Sequence, residues 1–110
     1  MKRLDVTEEL ALATPLSPEM AHRRLAAAET FEAGVIRFTP AGAAADPKQI
    51  THTDRDVLCY VLSGAGRLRT AGTEAPLRAG MLCHIPANTP HDFAATTEPL
   101  SLLYTLIRTR

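Results

Sequence analysis

From residue 31 onward the chain is divided into short apolar runs about eight to twelve residues apart, with glycine or proline between them. FEAGVIRFTP reads as a strand from about Phe31 to Thr39, stopped by Pro40. AGAAADPKQ reads as a loop, marked by Gly42 and Asp46-Pro47. VLCYVL, from Val57 to Leu62, reads as a buried strand bounded by Ser63-Gly64 and Gly66. GRLRTAGTEAPLRAG reads as a hairpin turning near Ala71-Gly72, and MLCHIP as a short strand closed by Pro86. HDFAAT and LSLLYTLI supply two more strands. Such spacing predicts an all-β sandwich or barrel.

The amino-terminal part is less regular. In LSPEMAHRRLAAAE, Ser17 fits an N-cap, Pro18 the first helical position, and the alanines a helix interior. Local rules therefore start a helix there.

The 110 residues suit one domain, and a chain of that length buries enough surface for one core. The formal net charge of zero argues against nucleic acid as a partner, because phosphate recognition needs a basic surface. Arg23-Arg24 and Arg67-Leu68-Arg69 read as solvated arginines. No apolar run reaches the roughly 20 residues of a membrane span. MKRLDVTEEL lacks the apolar core of a signal peptide. Cys59 and Cys83 are too few for a disulfide framework. The expectation is a cytoplasmic protein with reduced thiols.

Two segments carry a family pattern. VLSGAG, followed by GMLCHIPANTPHDF, resembles the cupin superfamily, whose motifs are written G-x5-HxH-x3-4-E-x6-G and G-x5-PxG-x2-H-x3-N. The second motif starts at Gly80, reaches Pro86 after five residues, carries Asn88 at the glycine position and arrives at His91. The first matches at Tyr60-Val61-Leu62-Ser63-Gly64 and at His52. The resemblance covers about residues 31 to 107 and implies a small, RmlC-like double-sheet jelly-roll barrel. It divides the single domain into an N-terminal segment, 1–30, packing on the barrel, and the barrel itself, 31–110. In such proteins the residues before the first long strand often form another strand, which competes with the helix over 18–28. Either a short helix or a strand remains open there.

The resemblance also implies a metal site, in part. Metal-binding cupins hold a divalent ion with two histidines and a glutamate from the first motif and a histidine from the second. Here His91 matches the second-motif histidine and His52 one of the pair. The partner position is Asp54, and the glutamate position falls on Val57, beside Asp56. The implied ligand set is His52 and His91 with Asp54 or Asp56. Two imidazoles and a carboxylate suit Zn, Fe, Ni, Mn or Cu, and the ion could equally be absent.

Strand alternation decides which side chains face inward. The apolar set Val57, Cys59 and Val61 suits the barrel lining, which turns Asp56 outward and leaves Asp54 the better carboxylate. His84, Cys59 and Tyr60 are further pocket candidates. VLCYVL and MLCHIP should lie side by side, making Cys59 and Cys83 cross-strand neighbours.

Three functions follow as expectations. The first is a metal-dependent enzyme acting on a small organic molecule, dioxygenase- or isomerase-like. The second is a metal-free cupin that binds or senses a small ligand. The third is a structural module with a vestigial pocket. The leucines on both faces of LSLLYTLI suit a homodimer.

Overall fold

The computed structural model describes residues 1–40, 49–70 and 72–109. Most of the loop expected at AGAAADPKQ, and Ala71 of the expected turn, lie outside the described residues. Among the described residues one helix, α1 (Val6–Ala11), precedes nine strands: β1 (Thr14–Ser17), β2 (Met20–Ala27), β3 (Phe31–Phe38), β4 (Arg55–Ser63), β5 (Ala65–Thr70), β6 (Thr73–Arg78), β7 (Leu82–Ile85), β8 (His91–Ala95) and β9 (Leu100–Arg108). They form a six-stranded sheet in the order β1-β2-β3-β9-β4-β7 and a three-stranded sheet in the order β6-β5-β8. All pairings are antiparallel. The spacing predicts an all-β sandwich or barrel and the cupin resemblance implies a jelly roll; that is the architecture found.

Antiparallel register places whole rows of side chains on one face of the large sheet. His22, Ile36, Leu102 and Val61 form one inward row. Gly34, Tyr104, Cys59 and Cys83 form the next, and Glu32, Leu106, Val57 and Ile85 the third. Val57, Cys59 and Val61 are all buried, as the alternation of VLCYVL predicts. Cys59 and Cys83 are direct cross-strand partners and both are free thiols.

The core lies between the sheets. Val61, Leu77, Leu100 and Leu102 cluster with Ile36, Phe38, Leu68 and Phe93, while Val57, Cys59 and Ile85 form a second group toward the other end. Phe38 of β3 and Phe93 of β8 meet across the gap with ring centroids 5.7 Å apart. Each fully buried leucine here contributes about 2 kcal/mol.

Within residues 18–28 the chain forms the strand Met20–Ala27, so the helix alternative for LSPEMAHRRLAAAE is corrected. The residues that suggest an N-cap make a tight turn instead. Ser17 Oγ accepts from the Glu19 amide at 3.2 Å, and the Glu19 carbonyl accepts from the Thr39 amide at 2.8 Å. β2 then pairs with β1 on one edge and β3 on the other, and those ladder bonds outweigh the helix preference of its alanines. The helix sits further upstream. Asp5 caps α1 by accepting from the Glu8 amide at 3.1 Å, with Glu8 and Glu9 in the first turn. Glu9 pairs with Arg23 of β2, seating α1 on the outer face of β2 and β3.

Candidate functional site

The turn between β7 and β8, PANTP, carries the site. Asn88 has φ of 66°, in the left-handed region that glycine occupies easily and asparagine tolerates. Its place in the motif is the glycine position, and its backbone takes the conformation a glycine would. The Asn88 amide donates to the His52 carbonyl at 2.7 Å. Ile50 and His91 exchange both backbone bonds, at 2.8 and 2.9 Å. These three bonds bring His52, from the segment before β4, alongside His91 at the start of β8.

The two imidazoles stand 5.8 Å apart, centroid to centroid, and both line one cavity of about 890 Å³. His91 is buried, with 3% of its surface exposed. Its Nδ1 lies 2.8 Å from the Thr89 carbonyl. A carbonyl only accepts, so Nδ1–H donates, and a neutral His91 ring has Nε2 as its unprotonated nitrogen. Burial, then the neighbouring His91 and Arg55, hold the proton affinity of His52 below the ordinary histidine value, against weaker opposing pulls from Asp54 and Glu32. His52 therefore favours its neutral form at pH 7.

A second polar group faces the same cavity. His22 Nε2 and the Tyr104 hydroxyl are hydrogen-bonded, with rings stacked at 5.6 Å. The Tyr104 hydroxyl also donates to Glu32 Oε2 at 3.5 Å. Burial and the Glu32 carboxylate push the Tyr104 phenol up to about 12. Gly34 makes room for this ring. A Cβ there would meet the Tyr104 hydroxyl oxygen at 2.5 Å, directly across the β3–β9 pair. Apolar walls from Ile36, Phe38, Phe93, Leu102 and Leu106 complete the cavity.

His52 and His91 thus stand side by side on one cavity. Asp56 is turned away from them. Its carboxylate accepts from His84 Nε2 at 2.8 Å and from the Ala87 amide at 2.9 Å. Those bonds hold its acidity above that of a free aspartate and anchor the PANTP turn. Asp54 is exposed and does not line the cavity; its backbone carbonyl accepts from the amide and hydroxyl of Thr109. His84 and Tyr60 face outward, with Tyr60 43% exposed, so both leave the pocket set, whereas Cys59 lines it. The physical reason is the register at Val57: alternation sends residues 56, 58, 60 and 84 to the outer face.

The donor set falls short of the metal implied by the motifs. Among the described residues, no group of three or more histidine, cysteine, aspartate or glutamate side chains could hold an ion. The four-ligand set of metal-binding cupins is reduced to two imidazoles, with apolar Val57 where the family has glutamate. The residues present do not fit that ion.

His22 and Glu32 were missed in the sequence. A helix over 18–28 hides the alternation that would place His22 beside Ile36. Glu32 opens a strand, where a solvated carboxylate is the usual reading.

Known proteins agree with this architecture. The cupin domain family model matches residues 34–106. The TT1209 protein from Thermus thermophilus is 25% identical, with 98% of each chain covered and a TM-score of 0.78. KdgF from Halomonas sp. is 21% identical, covering 87% of this chain and 86% of its own, at a TM-score of 0.73. An RmlC-like cupin from Shewanella frigidimarina is 19% identical over 89% of this chain and 84% of its own, also at 0.73. The last two likenesses speak for the fold alone. A comparison with curated proteins gives no match. With its two sheets, its Gly80-to-His91 motif and a family match over most of its length, the chain belongs to the cupin family.

Proposed function

We propose that this cupin binds a small, largely apolar organic molecule carrying a hydroxyl or carbonyl oxygen, and that it does so through imidazole and phenol groups rather than a protein-held metal. The observation that carries this reading is the pairing, at 5.8 Å in one cavity, of His52 with a His91 whose Nδ1 is held by the Thr89 carbonyl, without a third metal donor among the described residues. A cavity of about 890 Å³ with apolar walls and a few convergent polar groups is of the size that holds such ligands. In its neutral form His91 offers Nε2 as an acceptor, and Tyr104 has a hydroxyl kept protonated by its burial.

The same groups support a second reading, proton transfer on the bound molecule. An unprotonated imidazole can remove a proton, and the Tyr104 hydroxyl can donate to a developing oxyanion once its hydrogen turns from the long bond to Glu32. That chemistry is isomerase-like. The dioxygenase-like reading needs ligands that Asp54 and Asp56 do not supply from their observed places.

Phenol serves as the probe. The proposal expects saturable binding that is unchanged by EDTA and weakened at least tenfold in His91→Ala. A stoichiometric transition metal that is lost in both His52→Ala and His91→Ala would overturn it in favour of the metal-dependent enzyme.

A further inference from the structure

A separate polar pocket of about 210 Å³ opens at the end of the barrel where β4 and β9 meet, sharing, among the described residues, only the Leu106 wall with the main cavity. Arg24, Arg55 and Arg108 line it, together with Glu29 and Glu32. Arg55 and Arg108 are direct cross-strand partners on β4 and β9. Like charges placed opposite one another on a sheet destabilise it.

The local carboxylates do not neutralise the pair. Glu32 is engaged by Arg24 at 3.7 Å and by the Tyr104 hydroxyl. Arg108 donates weakly to the backbone carbonyl of Glu29 at 3.5 Å. Neither Arg55 nor Arg108 forms an ion pair among the described residues. Among the described residues, three guanidiniums against two carboxylates give the pocket lining a formal excess of one positive charge. Its lining is mostly polar, unlike that of the main cavity.

We propose that this pocket is an oxyanion site in which Arg55 and Arg108, supported by Arg24, bind the carboxylate of a small organic acid or a phosphate group. Guanidinium is suited to the task, because its planar fork matches the paired oxygens of either group and it stays charged at any working pH. A bound oxyanion would bridge the two facing arginines and remove their repulsion. The site stands whether or not the main cavity is occupied.

The test is calorimetric titration of the full chain at pH 7 and low ionic strength, with inorganic phosphate in one arm and acetate in the other. One-to-one binding is expected for at least one probe, weakened at least tenfold in Arg55→Gln and in Arg108→Gln. Tighter phosphate binding assigns a phosphate group, and comparable binding of both assigns a carboxylate. His91→Ala, in the main cavity, should change these affinities less than twofold, which separates this site from the reading above. In phosphate-free buffer Arg55→Gln should melt at or above the wild-type temperature, because one of two facing charges is gone. The proposal is overturned if neither probe binds saturably, or if the arginine variants bind as the wild type does. It is equally overturned if His91→Ala abolishes binding.

Discussion

The imidazole of His52 lies 5.8 Å from that of His91, although the two residues belong to segments separated by four strands of the chain. Backbone bonds make the meeting: Asn88 to the His52 carbonyl, and the reciprocal pair between Ile50 and His91. The geometry is thus a property of the PANTP turn and its docking as much as of the histidines themselves.

Acid stability should report the environment of His52. Its folded proton affinity is depressed, chiefly by burial. The unfolded chain therefore takes up a proton first as pH falls from the ordinary histidine value, near 6.5, toward the lower folded one. Stability is fully present above that window and is lost going down through it. Thermal melts of His52→Gln should fall less steeply than wild type between pH 7 and 5. Parallel curves would show that His52 is solvated in the folded protein.

Asn88 should be replaceable by the residue the family motif has there. Its φ of 66° costs a glycine nothing. Asn88→Gly should change urea stability by no more than about 0.5 kcal/mol, whereas Asn88→Val should cost about 1–2 kcal/mol. Equal losses for the two would mean that the side chain, not the backbone angle, matters.

The two thiols should be inert in the folded protein. Burial, followed by the Cys83 neighbour, pushes the Cys59 thiol up to about 12, and burial also raises Cys83. At pH 8 the thiolate fraction of Cys59 is then on the order of 10⁻⁴, and thiolate is the reactive form. An aromatic disulfide reagent should label neither cysteine natively and both in denaturant. Rapid native labelling of Cys59 would contradict the buried register of β4.

Gly34 should resist substitution because of Tyr104. A Cβ at Gly34 would lie 2.5 Å from the Tyr104 hydroxyl oxygen and 2.8 Å from the Arg23 carbonyl. Gly34→Ala should cost about 1–3 kcal/mol by urea denaturation, as overpacking does, and should weaken phenol binding by displacing the ring. Retention of both properties would detach Tyr104 from the site.

The barrel was legible because its signals are local. Glycine and proline spacing marks strand ends, and the alternation of Val57, Cys59 and Val61 fixes which way β4 faces. The motif from Gly80 to His91 was legible through its resemblance to the cupin pattern, and its turn is set by neighbouring residues. What the sequence concealed is long-range. Met20–Ala27 carries alanines that favour a helix, and only pairing with β1 and β3 makes it a strand. With that strand comes His22, brought to Tyr104 by a register spanning three strands. Asp54 and Asp56 have the right chemistry for ligands. Their destinations, the solvent and the His84–Ala87 contact, depend on a face assignment that composition does not reveal.

The most direct measurement is nitrogen NMR of the histidine side chains in EDTA-treated protein at pH 7, titrated with phenol. The account predicts a neutral His52, a His91 protonated at Nδ1, and resonances of both rings that shift together with one dissociation constant. Phenol that moves neither ring, or binding that vanishes with the chelator and returns with a divalent ion, would contradict it.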